Sequence, residues 1–383
     1  MTFHRLKYDI LGFSKYKLSF LTNRNILRNI YRRYRLKGIY FYLANFMRVR
    51  YGKRKYGCSN FMFKKLHLEV TTSCNMHCKR CSRAIIEKKI EHMSLKNFKT
   101  IVDKIPGLSI AQITGLGETL LNPDILKQVE YLKSKHIYTG LSTNGAGLRE
   151  QTSRGLLESG LDWIDISLPS VDPHIYKKIR GVDAISEGLL NKIAGFQSLN
   201  KLNFNARTKV YILIVYSKEN EGSLFDVLDF ICSAKIDNVI IKFAEDWNPH
   251  NKYLQIDKTI PKEIDMTKSS KEVKYFLKES KSRGLKCAIK CQMKDSEYRK
   301  IFNDSEKCES AWYHLGVLCN GDVIPCLCTK ELHRNYIMGN LIRDDFNEIW
   351  NGNEFLTWRE KIISRDMPDV CNYCTRDITL LFK

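Results

Sequence analysis

The chain has 383 residues, 13 of them cysteine, and a formal net charge of +21 at pH 7. That length suits one large domain with an appendage, ample to bury a core. Thirteen cysteines with no secretory leader in Met1–Phe20 argue against a disulfide framework and for metal binding in a reducing cytoplasm. The longest apolar run near the start, residues 38–47, is ten residues, and a helix that crosses a bilayer needs about twenty.

The charge is uneven. Residues 1–57 hold fifteen Lys and Arg against one acid, Asp9, and so contribute +14; the rest carries 48 basic and 41 acidic groups, or +7. Within this arm, Ile26, Leu27, Ile30, Tyr31, Tyr34, Tyr42, Leu43 and Phe46 interleave with arginines at helical spacing. Three readings stay open for residues 22–57. One is an amphipathic helix on an anionic membrane surface. The second is a dock for nucleic acid or an acidic partner. The third is a helix packed on the body with a solvated basic face.

From residue 66 the pattern alternates. Apolar, β-branched runs at 66–72, 110–115, 138–143, 163–168, 210–216 and 239–243 read as strands. Helical stripes lie between them: one after Ser94 as N-cap, one near Pro123, one along Leu224, Val227, Leu228 and Ile231. Six strand–helix units with right-handed crossovers predict an α/β fold, a partial (β/α)6 TIM-like barrel. In such barrels chemistry sits at the C-terminal strand ends. The first strand runs into Cys74, Cys78 and Cys81, spaced Cys-x3-Cys-x2-Cys. Three thiolates on a short loop can hold three irons of a cubic cluster and leave the fourth open to a small molecule. A zinc loop with His77 as fourth ligand is the bland alternative.

The stretch Cys74-Asn-Met-His-Cys-Lys-Arg-Cys81 resembles the cysteine motif of the radical SAM superfamily, with Arg80 where that family usually has an aromatic or apolar residue. The resemblance spans about residues 60–250 and implies a 4Fe–4S cluster that binds S-adenosylmethionine. After the second strand, Gly115-Leu116-Gly117-Glu118 resembles the segment that holds the cofactor's amino group, with Thr119 in place of a common proline. Asn144, after the third strand, and Ser167, ending the fourth, match positions lining the adenosine site, although Pro169 replaces an acid seen in many relatives. Arg180 matches an arginine near the cofactor carboxylate; its plainer reading is a basic residue at a helix C-terminus before a capping glycine. Glu245 and Asp246, after the last strand, are substrate-contact candidates by position alone. His67, His77 and His92 read as ordinary polar positions.

Cys308, Cys319, Gly321, Cys326, Cys328, Trp350, Cys371 and Cys374 shape the C-terminal part. Their order resembles a SPASM domain in its shorter Twitch form, which implies one auxiliary 4Fe–4S cluster held by Cys308, Cys326, Cys371 and Cys374. Zinc in a ribbon-like site is the alternative. Cys319 and Cys328 are left over: Cys328 could replace Cys326 as a ligand, and either could be a buried thiol or a hydrogen-atom donor to a substrate radical, with Cys319 the catalytic candidate. The expected organisation is a basic helical arm at 1–60, the barrel with a connector at 61–300, and the cluster domain at 301–383.

The resemblance implies hydrogen abstraction from substrate by a 5′-deoxyadenosyl radical, with a flavodoxin- or ferredoxin-type electron donor. The expected chemistry is oxidation or epimerisation of a carbohydrate- or cyclitol-like group, free or carrier-linked. A maturase acting on a ribosomally made peptide is the rival, and lipid or nucleic-acid modification ranks behind it. The expected location is cytoplasmic, peripheral at the inner membrane face if the arm binds lipid; nucleic acid is not an expected partner.

Overall fold

A computed structural model describes residues 64–79, 81, 83, 89–243, 266–291, 310–326, 336–364, 366 and 378–381. The arm, Glu245 and Asp246, and Cys308, Cys328, Cys371 and Cys374 lie outside the described residues. Seven parallel strands carry the body: β1 (Lys64–Leu68), β2 (Leu108–Ile113), β3 (Tyr138–Thr143), β4 (Trp163–Ser167), β5 (Lys209–Tyr216), β6 (Asn238–Phe243) and β7 (Lys286–Cys291). They pair in chain order, as right-handed strand–helix units require. The crossover helices include α1 (Leu95–Lys104), α2 (Ile125–Ser134), α3 (Glu150–Glu158), α4 (Pro173–Arg180), α5 (Leu189–Phe204), α6 (Leu224–Ser233) and α7 (Met266–Ser282). Ser94 caps α1, accepting from the Asn97 amide, while α2 starts two residues beyond Pro123.

The sheet exceeds the six expected strands. β7, in the run Lys-Cys-Ala-Ile-Lys-Cys, has too little apolar alternation to stand out in the sequence. An eighth parallel strand, β8 (His314–Val317), pairs with β1 on its free side. From β8 the sheet runs antiparallel through β9 (Asp322–Ile324) to β10 (Gly339–Asn340), and β11 (Ile378–Leu381) closes antiparallel on β7. The C-terminal segment thus adds strands to both edges of the barrel sheet.

A two-residue period decides what faces where. Ile164, Ile166, Ile212, Ile214, Val239 and Ile241 are buried in one core with the helices. Their alternating neighbours on β4, β5 and β6 are only half-buried, so the concave inner wall is open. The C-terminal part is bolted on by Trp350. It ends α8 (Phe346–Trp350), with α9 (Asn353–Ser364) following. Its ring lies 4.6 Å from the guanidinium carbon of buried Arg359 and 5.7 Å from the Nζ of buried Lys64 on β1. Arg359 also donates to the carbonyls of Trp350 and Ala311, at 2.7 and 3.0 Å, and Lys64 Nζ donates to the Pro106 carbonyl at 2.8 Å, so both cations keep polar partners beside the aromatic faces. Among the described residues no helix is long and apolar enough to cross a membrane.

Candidate functional site

The cysteine loop leaves β1 at the C-terminal end of the barrel and is fastened on two sides. Thr71 Oγ1 donates to the Glu91 carbonyl at 3.0 Å and shares a 2.9 Å hydrogen bond with His92 Nδ1. The Thr72 hydroxyl donates to the Lys89 carbonyl and accepts from the Glu91 amide, both at 2.8 Å. On the far side, the His77 and Lys79 amides donate to the carbonyls of Arg180 and Ile179, at the C-terminus of α4. These bonds satisfy the backbone of an irregular loop and hold its thiols in place.

The expected cofactor residues converge on this loop. Glu118 is buried and accepts from Thr143 Oγ1 at 2.5 Å, the Asn144 amide at 2.7 Å and the Leu120 amide at 3.1 Å. Its own amide donates to the Ser73 carbonyl at 2.7 Å. Burial pushes the Glu118 carboxyl upward, against these hydrogen bonds. The Asn144 side-chain amide donates to Asn75 Oδ1 at 2.8 Å, between Cys74 and Cys78 in the loop. Ser167 accepts from Arg180, whose Nη1 donates to the Cys78 sulfur at 3.4 Å. Burial opposes the Arg180 charge, but the Cys78 sulfur and Tyr176 outweigh it, and its pKa rises. Burial raises the Cys74 thiol and carries Tyr176 up to about 12.

Gly115 and Gly117 have a packing reason as well as the expected ligand one. A Cβ on Gly117 would sit 2.2 Å from the Thr71 carbonyl oxygen, and one on Gly115 would sit 2.5 Å from the Glu69 side chain. Only glycine lets this segment lie so close to the cysteine loop. Sequence reasoning missed Glu69. Its carboxylate accepts from the Leu116 amide at 3.0 Å and, on the other oxygen, from the Cys319 amide at 3.5 Å. It also missed Asn122, whose side chain donates to the carbonyls of Val70 and Met93 at 2.7 and 3.0 Å. Polar residues directly flanking the two motifs were the available signal.

Cys319 is buried, 6% exposed, at the turn after β8. That enclosure suits a structural thiol. Cys326 is half-buried against the core just past β9.

The thiol set fits an iron–sulfur cluster. Cys74, Cys78 and Cys81 share one anchored loop, and the Arg180 cation lies at hydrogen-bond distance from the Cys78 sulfur, a favourable partner for a thiolate. Among the described residues no three Cys, His, Asp or Glu side chains are gathered as one ion would require. A 4Fe–4S cubane would give each thiolate its own iron.

A parallel partial barrel with a three-cysteine loop, a glycine-rich segment and an arginine at its C-terminal rim defines a radical SAM enzyme. Both domains of such an enzyme are detected in the chain: the radical SAM superfamily model matches residues 68–231, and a model described as an iron–sulfur cluster-binding domain, SPASM, matches 308–375. Its cofactors are S-adenosylmethionine and two 4Fe–4S clusters. A Pyrococcus furiosus protein named as modifying the cofactor of tungsten-containing aldehyde ferredoxin oxidoreductase is 22% identical over 82% of this chain and 87% of its own. A probable GTP 3′,8-cyclase of Methanococcus aeolicus is 28% identical over 58% of this chain and 73% of its own. Among solved structures, Streptococcus suis SuiB bound to its precursor peptide SuiA superposes with a TM-score of 0.63 at 17% identity, over 84% of this chain and 73% of that one. Native anSMEcpe with bound AdoMet gives 0.57 at 17%, over 82% and 88%. At these identities the two structures show a shared fold.

Proposed function

We propose that the protein oxidises or epimerises a hydroxyl-bearing carbon of a carbohydrate- or cyclitol-like substrate. One observation carries the reading: the inner wall directly below the cysteine loop is polar and half-open, with Gln112, Ser142, Asp165 and Ser167 facing inward. When bound, the clusters and S-adenosylmethionine supply a 5′-deoxyadenosyl radical and an acceptor for the substrate's second electron. The chain's own residues orient and enclose. Arg180 and Ser167 brace the cysteine loop, Glu118 and Asn144 fix the neighbouring strand ends, and β8 seats the C-terminal part beside β1.

A second reading is favoured by the likeness to SuiB, solved with a precursor peptide: action on a peptide substrate. The test also replaces Cys371, expected with Cys374 as a ligand of the auxiliary cluster. Holoenzyme is incubated with ring-deuterated myo-inositol or glucosamine, and 5′-deoxyadenosine is analysed by mass spectrometry. Deuterium in 5′-deoxyadenosine, with product lost but abstraction kept in C371A, supports oxidation. Solvent hydrogen in the product carbon selects epimerisation. Deuterium transfer from a labelled peptide and from no ring compound selects the second reading.

A further inference from the structure

We infer that the inner wall of β2, β3 and β4 is a pocket for one hydroxylated six-membered ring, with the Trp163 indole as its floor and Asp165 as its selecting polar group. The inference deepens the carbohydrate reading above and rests on it.

The wall is layered. At the base, Trp163 is half-buried and its indole lies across Gly140, so close that a Cβ there would fall 1.9 Å from the ring. Tyr138 stacks beside it, centroids 4.8 Å apart and 26° between planes. Two residues along β4 comes the polar layer. Gln112 Nε2 donates to Ser142 Oγ at 3.2 Å and to Asp165 Oδ2 at 3.1 Å, and register aligns Ser142, Asp165 and Tyr211 across three strands. Two residues further is Ser167, which holds Arg180 beside Cys78.

These layers match a cyclic polyol. Its C–H face is apolar and suits an electron-rich indole face, while its equatorial rim presents hydroxyls. Asp165, beside Gln112 on this wall, supplies carboxylate oxygens of the acceptor type that a ring hydroxyl or ammonium requires. Each two-residue step along a strand rises about 6.6 Å, enough for one ring between the floor and the layer that carries the cysteine loop. Gly140 gives up its side chain to make room for that floor. An extended peptide would find no row of backbone partners here, because every strand of the wall is already paired on both sides.

The test uses cluster-loaded protein with S-adenosylmethionine and measures glucosamine and myo-inositol binding by saturation-transfer difference NMR. Asp165→Asn and Trp163→Phe should each weaken ring binding at least tenfold and leave S-adenosylmethionine affinity unchanged. Ring binding unaffected in both variants would overturn the pocket while leaving the carbohydrate reading in place. A wild-type protein that binds neither ring compound would overturn the substrate class and that reading together. Parallel loss of S-adenosylmethionine affinity would make both residues structural and reject their assignment.

Discussion

Arg180 grips the cysteine loop twice: its Nη1 donates to the Cys78 sulfur at 3.4 Å, and its carbonyl accepts the His77 amide at 2.9 Å. The helix end supplies the carbonyl and the side chain supplies the charge, so the two functions separate by mutation. Arg180→Lys keeps the backbone clamp and one charge but loses the fork that reaches Cys78 and Ser167 together. Iron content should stay near wild type. Reductive cleavage of S-adenosylmethionine should fall roughly 10- to 100-fold, the size expected for a charged hydrogen bond of about 1.5–3 kcal/mol. Unchanged 5′-deoxyadenosine formation in the lysine variant would reject a role beyond packing.

Metal content separates the two cluster sites. Anaerobically reconstituted protein should hold about eight irons and eight sulfides, two cubanes. Replacing Cys74, Cys78 and Cys81 together by alanine should leave about four and abolish cofactor cleavage. Stoichiometric zinc with only four irons would assign the C-terminal site to a ribbon instead.

The meeting of the cysteine loop, the glycine-rich segment, Asn144 and Arg180 at the strand ends was legible in the sequence because each lies in a short motif of restricted residue type and spacing. The strand–helix alternation was legible because Ile and Val on β4, β5 and β6 repeat with period two against helical stripes. β8 was not: four residues in a cysteine-rich tail gain their meaning only from the free edge of β1. Nor was the inner wall. Gln112, Ser142 and Asp165 each occupy one inward position on a different strand, so no local spacing links them, although each is a polar residue inside an apolar run. Glu69 escaped notice for the same reason. Leu116 and Cys319, whose amides donate to its carboxylate, are 47 and 250 residues away.

Two glycine substitutions should move stability in opposite directions. Gly117→Ala places a methyl 2.2 Å from the Thr71 carbonyl, a backbone atom that cannot swing aside. It should lower the melting temperature and impair cluster loading. Gly195→Ala lies on the exposed face of α5 with nothing within 4 Å of the new methyl. It should stabilise by about 0.5–1 kcal/mol, the helix cost of glycine relative to alanine. Equal melting shifts in the two variants, read by calorimetry on the reconstituted protein, would contradict the close approach at Gly117.

His314 on β8 should set an acid limit on the union of the C-terminal part with the barrel. Its ring lies 4.4 Å from that of His67 on β1, with a buried Nε2 that finds no hydrogen-bond partner. Burial, reinforced by the nearby Lys65 charge, lowers its pKa to about 3. The unfolded chain takes up the proton near pH 6.5, before the folded one does, so the stabilisation is complete above 6.5 and is lost as pH falls toward 3. By pH 4.5, two units below the unfolded value, the loss is about 2–3 kcal/mol at 1.36 kcal/mol per unit. His314→Gln cannot take up that proton. Urea midpoints measured between pH 7 and 4.5 should therefore fall less steeply for the variant than for wild type, with the two curves converging at acid pH. Parallel curves over that range would show that His314 is already solvated and charged in the folded protein.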